Sequence, residues 1–138
     1  MPGPAVLVDA GALIALFNKT DSEHQFFRRF FADYYGEALT TWPVLTEAEH
    51  LVAAHRSIDV LRLVRAGRLK PVDITTGIAR IIELMEKYAD RPMGLADASL
   101  VWAAEHTGVH EIVTIDRKDF EFYRMRSGRA LRILPPQE

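Results

Sequence analysis

Cysteine is absent from the 138 residues, which excludes disulfides, thiolate metal sites and cysteine nucleophiles. A chain without disulfides fits a reducing compartment. No apolar run approaches the roughly 18 residues that a membrane span needs. The opening Met1-Pro2-Gly3-Pro4 has neither a charged leader nor a cleavage site, so the chain is expected in the cytoplasm. Lysine is also scarce. Among 17 cationic residues only Lys19, Lys70, Lys87 and Lys118 are lysine, and the rest are arginines, whose planar fork suits phosphate. The glycines form no phosphate cradle, because Gly3 and Gly11 fall in neither GxxxxGK[ST] nor GxGxxG. His24, His50, His55, His106 and His110 show no zinc spacing, and there is no GxSxG elbow. His50 reads as a surface or core-edge residue.

What is present suits one soluble α/β domain spanning 1–138. Apolar residues make up 49% and charged residues 26%, with a formal net charge of −2. That charge gives no bulk pull toward nucleic acid, although a cation neutralising a few acids would leave the remaining surface mildly positive. Short β-branched runs near 5–9, 38–41, 70–74, 111–115 and 131–134 alternate with helical patterns near 11–17, 22–35, 43–55, 57–66, 76–89 and 95–107. Asp21-Ser22 is the expected cap of the second helix, Pro43 suits the first turn of the third, and Thr75 or Thr76 the cap of the fifth. Gly108 suits the C-terminal stop of 95–107. The stripe Phe26, Phe27, Phe30, Phe31 and Tyr34 reads as core or dimer surface. Strand–helix alternation predicts a parallel sheet with helices on both faces and chemistry beyond the carboxyl ends of the strands.

Acids sit where apolar segments end or are interrupted. Asp9 closes Ala5-Val6-Leu7-Val8, and Asp116 closes Ile112-Val113-Thr114-Ile115. Either could simply cap the helix that follows. Asp97 lies in the first turn of a helix that is apolar nearly all round, where the helix dipole favours a carboxylate. Glu47 and Glu49 both flank the apolar stripe of the third helix, and periodicity does not separate them. An isolated buried carboxylate is costly unless a partner, a proton or a metal compensates it. Several at one sheet mouth would make an oxygen-rich cage for Mg²⁺ or Mn²⁺.

These blocks together resemble the PIN-domain ribonucleases. Val6-Leu7-Val8-Asp9-Ala10-Gly11 through Phe17 is similar to their opening strand and helix. Thr40 to Ala48, with Glu47, is similar to the segment bearing the second acid, Met93 to Leu100 to the third, and Ile112 to Phe120 to the fourth. The match runs from residue 5 to about 134, with the blocks in the family's order. The resemblance implies a parallel sheet in the order 3-2-1-4-5 and a metal-dependent endoribonuclease, as in the VapC-like toxins of VapBC toxin–antitoxin pairs. It selects Glu47 over Glu49. It also carries over Asp119 as a possible fifth acid and Thr114 as a hydroxyl near the site. One departure is that the family usually places Ser or Thr two residues after the first aspartate, where this chain has Gly11.

By that resemblance Asp9, Asp97 and Asp116 would hold one or two Mg²⁺ or Mn²⁺ ions, with Glu47 as ligand or water orienter, and attack by water would leave 5′-phosphate and 3′-hydroxyl ends. Arg117 is the first arginine expected to position phosphate, and Trp42 or Tyr123 are candidates for base stacking. The implied partners are a tRNA or rRNA substrate, an antitoxin that blocks the acidic pocket, and a second copy of the chain through residues 22–35 and 43–66. One rival reading is a catalytically weak or inactive PIN-like RNA-binding or interaction module. Another is a phosphoryl-transfer enzyme using strand-end aspartates with Mg²⁺, for which Lys118 would be the only strand-end lysine.

Overall fold

In β1 (Val6–Val8) all three residues are buried. Successive side chains of a strand point to opposite faces, so both faces of the sheet are covered there. The computed structural model describes residues 4–20, 22–34, 36–91 and 93–134. After β1 come α1 (Ala10–Phe17), α2 (His24–Asp33), β2 (Ala38–Thr41), α3 (Trp42–Leu51), α4 (Ser57–Arg65) and β3 (Lys70–Val72). The chain continues with α5 (Ile78–Lys87), α6 (Leu95–Thr107), β4 (Glu111–Val113), α7 (Arg117–Phe122) and β5 (Arg132–Leu134).

The strands form one parallel sheet in the order β3-β2-β1-β4-β5. Leu7 is paired with Leu39 on one side and Ile112 on the other, which makes β1 the central strand. The strand order reverses beside β1, and in open α/β sheets ligands bind at such a point beyond the strand ends. The α/β architecture with helices on both faces is the one the sequence predicts.

Helix α6 is buried on almost every side, from Ala98 through Ala104. Arg80 of α5 holds its far end with a two-pronged contact to Glu105, at 3.0 and 2.8 Å. Gly108 ends it with φ of 78°, a left-handed conformation that glycine adopts without steric cost. Near its start, Ser99 shares a 2.6 Å hydrogen bond with Thr41 at the end of β2, and its hydroxyl also donates to the Ala96 carbonyl. These buried contacts fix the first turn of α6 against the carboxyl end of the sheet. Pro43 falls in the first turn of α3, as expected.

Several local expectations are revised. The cap of α2 is Glu23, without a side-chain capping bond, and not Ser22; Asp21 lies outside the described residues. Thr75 and Thr76 do not cap α5, because residues 75–77 form a short 3-10 turn and Gly77 precedes the helix. Asp73 instead closes an Asx turn ahead of it, accepting from the backbone N–H and the hydroxyl of Thr75 at 2.9 and 2.7 Å. The aromatic stripe of α2 divides. Phe27 is in the core, while Phe26, Phe30 and Tyr34 stack in a row along an open face.

Candidate active site

Asp9 follows β1 directly, and its backbone N–H still donates to the Val113 carbonyl of β4 at 3.1 Å. Both oxygens of its buried carboxylate accept a hydrogen bond. The Ala10 N–H donates to Oδ1 at 2.7 Å, and the Thr114 hydroxyl donates to Oδ2 at 2.9 Å. Helix capping and site membership are therefore both met by one side chain. Thr114 in turn accepts from the Asp116 N–H at 2.9 Å, so one hydroxyl links the two strand-end acids. Burial pushes the Asp9 carboxyl up to about 6. The two hydrogen bonds oppose that shift, and the charges of Glu47 and Asp116 reinforce it.

Asp97 is delivered by the first turn of α6, and Asp119 by the first turn of α7. Oxygens of Asp97, Asp116 and Asp119 all lie within 4.8 Å of one another. Burial, then the charge of Asp9, pushes Asp97 up to about 7. The Tyr123 hydroxyl, which donates to its Oδ2 at 3.2 Å, offsets part of that rise. Asp116 is also raised, first by burial and then by its neighbour Asp119. Tyr123 is itself pushed far up by burial and by Asp97, so it stays a donor.

Glu47 is exposed on α3 and couples electrostatically to Asp9. It borders a shallow hollow shared with Trp42, His50, Ile74 and Leu95. Glu49 lines a different hollow, against Ile58 and Leu61 at the α4 side. The two glutamates that periodicity could not separate thus project to different places. Trp42 is 51% exposed beside this site, whereas Tyr123 is 2% exposed and packed on Tyr88 and Phe120. Tyr123 is therefore no base-stacking surface; its ring is core and its hydroxyl serves Asp97. Arg117 opens α7 with its Nε 3.7 Å from Glu121.

One residue at the site carries no signal in the sequence. Arg91, between α5 and α6, pairs with Asp119, with Nε at 3.2 Å and Nη2 at 3.1 Å from the same carboxylate oxygen. Its partner lies 28 residues away in the chain, so no local pattern points to it.

The residues present fit a hard divalent cation. They offer only carboxylate and hydroxyl oxygen, their oxygens converge, and the acids are raised by burial and then by neighbouring acids, both of which a cation would offset.

A parallel α/β sheet of this order with strand-end and helix-start carboxylates converging beside the central strand defines a compact acidic-site domain of the PIN type. The family model for the PIN domain matches residues 6–127, and the chain belongs to that family. Ribonuclease VapC26 of Mycobacterium tuberculosis (strain ATCC 25618 / H37Rv) is 28% identical over 136 residues, covering 94% of this chain and all of the relative. Among solved structures, the sarcin-ricin loop cleaving toxin VapC20 of Mycobacterium tuberculosis superposes with a TM-score of 0.72 at 20% identity, over 82% of this chain and 91% of that one. A toxin–antitoxin complex from Klebsiella pneumoniae gives 0.62 at 21% identity, over 83% and 89%. Among the described residues, no helix is long and apolar enough to cross a membrane.

Proposed function

We propose that this protein is a metal-dependent endoribonuclease acting as one domain, the cytoplasmic toxin of a type II toxin–antitoxin pair. The observation that carries this reading is the meeting of Asp9, Asp97 and Asp116, from three separate segments, at the carboxyl end of the sheet. Asp97 and Asp116, with Asp9 behind them, would hold Mg²⁺ or Mn²⁺, and Asp119 stands as a further oxygen donor. A divalent ion bound there supplies charge neutralisation and a more acidic water. Thr114 keeps the Asp9 and Asp116 segments in register, and the Tyr123 hydroxyl, donating to Asp97, favours its charged form against the rise that burial imposes. Glu47, solvated and near Asp9, is placed to orient the attacking water. Hydrolysis by external water leaves 5′-phosphate and 3′-hydroxyl ends.

The substrate class is a structured RNA, a tRNA or an rRNA loop; a structural relative is described as cleaving the sarcin-ricin loop. Exposed Trp42 is placed to stack an unpaired base. A cognate antitoxin and a second copy of the chain are the protein partners. A groove of about 430 Å³ has Leu13, Leu16 and Leu63 as its floor and Lys19, Arg28 and Arg56 on its rim, which suits an acidic amphipathic segment. Beyond segments 22–35 and 43–66, α5 exposes Ile78, Ile82 and Met85 at helical spacing, a face suited to self-association.

The direct test incubates purified protein and Asp97→Asn with total RNA and Mg²⁺ or Mn²⁺, then maps the new ends by sequencing. Discrete 5′-phosphate cuts, absent with EDTA and in the variant, are expected. Gly11, which brings no hydroxyl to the site, favours the second reading, an RNA-binding module with weak or no catalysis. The absence of cuts under any metal, with antitoxin excluded and RNA still bound, would favour that reading instead.

A further inference from the structure

We propose that Arg91 is the residue that positions the scissile phosphate beside the acid cluster, an inference that rests on the nuclease reading above. Both of its contacts to Asp119 fall on one oxygen, Oδ1, through Nε and Nη2. A guanidinium has five N–H donors in a fixed plane. The Asp119 contact therefore leaves the Nη1 end of the fork available for an incoming acceptor.

Three features hold that fork in place. The Arg91 guanidinium carbon lies 4.4 Å from the centre of the Phe122 ring, a cation–π contact that holds the head group over that ring. The backbone N–H of Arg91 donates to the Tyr88 carbonyl at 3.0 Å. Tyr88 is buried, packs edge-on against Phe122 and Tyr123, and accepts the Arg124 N–H on its hydroxyl at 2.8 Å. A cation is thus mounted on an aromatic cluster rooted in buried Tyr88, while its side chain stays 38% exposed.

Charge gives the placement its purpose. The converging carboxylates of Asp9, Asp97, Asp116 and Asp119 outweigh a single divalent cation, so a phosphodiester entering beside them meets net repulsion. Arg91 offsets the charge of Asp119, and its free donors can take a non-bridging phosphate oxygen. The arginine first suspected from the sequence, Arg117, has its Nε directed toward Glu121 on its own helix. Arg91 is accordingly a positioning residue for the phosphate, adjacent to but distinct from the acids.

The test compares Arg91→Gln and Arg91→Lys with the unaltered protein, each also in an Asp97→Asn background, which should prevent cutting during the binding measurement. Binding of a short single-stranded RNA is followed by fluorescence anisotropy across a salt series, Mn²⁺ binding by calorimetry, and cleavage by kcat and KM. Arg91→Gln should weaken RNA binding about tenfold and reduce the slope of log affinity against log salt by about 0.7, the loss of one phosphate contact to a single strand. Its effect should fall on KM more than on kcat, and Mn²⁺ affinity should change less than twofold. Arg91→Lys should recover the salt slope but only part of the affinity. Full RNA affinity and slope in Arg91→Gln, with a lowered melting temperature or altered Mn²⁺ binding, would show that Arg91 merely braces Asp119, and would overturn the proposal while leaving the nuclease intact. Unaltered protein that neither binds nor cuts RNA would overturn both.

Discussion

The side chain of Ile115 occupies the space that a β-carbon on Gly11 would need: such a carbon would stand 2.8 Å from Ile115 Cγ1 and 3.2 Å from Cδ1. The missing hydroxyl of the family pattern and the isoleucine one residue before Asp116 are thus one feature. Ile115 is 44% exposed, so it has somewhere to turn.

Gly11→Ser alone is expected to be nearly neutral to mildly destabilising. Displacing Ile115 costs roughly 1 kcal/mol, and the gain from replacing glycine in a helix returns about half of that. Gly11→Ser with Ile115→Ala should be more stable than the sum of the two single changes predicts. A double-mutant cycle by urea unfolding measures the coupling; strict additivity would mean that the two sites do not share this space.

Asp97→Asn should lower cleavage to below about a hundredth of the wild-type rate, the scale of losing one electrostatic contact to a transition state. The same change should raise the melting temperature of the metal-free protein at pH 8 by a few degrees, because it removes a buried repelled charge. Activity and thermal melting together check it. A variant that loses both activity and stability would show Asp97 to be a structural acid.

Asp9 and Asp97 keep their protons up to about 6 and about 7 in the folded protein, against 3.8 for the ordinary side chain. Across that interval the folded state binds more protons than the unfolded one. Their contribution to stability is therefore fully present below about 4 and is lost as pH rises through about 6 and 7. In EDTA the melting temperature should fall between pH 5 and pH 8, and Asp97→Asn should flatten that fall. Mg²⁺ should stabilise more at pH 8 than at pH 5, since it needs the ionised acids. Tyr123→Phe, which removes the donor to Asp97, should move the onset of metal binding to higher pH. A metal effect independent of pH would contradict this assignment of the ligands.

Arg28→Glu should weaken binding of the antitoxin about tenfold and reduce its sensitivity to salt, leaving the cleavage rate of free protein unchanged. Arg28 is exposed on the groove rim, on α2 and apart from the acids. Titration of the neighbouring reading frame's product against both proteins measures it. Equal affinity for the two would place the antitoxin elsewhere.

Strand–helix alternation was legible because both faces of the sheet are buried, which leaves dense apolar runs such as Val6-Leu7-Val8 and Ile112-Val113. The all-round apolar pattern of 95–107 gave α6 its true bounds. Strand ends were less legible: β4 stops at Val113, and Thr114 and Ile115 already turn toward the site. Chain neighbours of the acids were readable, but contacts across the fold were not. The Thr114–Asp9 bond spans 105 residues and the Arg91–Asp119 pair spans 28, and neither leaves a local pattern. Trp42 and Tyr123 looked alike as aromatic candidates, yet one opens a helix at the surface and the other turns inward to Asp97.

Because α6 is enclosed from Ala98 through Ala104, the half-buried carboxylate in its first turn is anchored to the interior of the domain. Such a helix belongs to the region of a domain that opens last, with the free energy of global unfolding. Reshaping the acidic cluster through this helix would therefore cost a large part of the stability of the fold. A protein partner anchored elsewhere, such as in the groove rimmed by Arg28, would act on this centre by reaching over it rather than by deforming it, and its release would leave the acids as they stand.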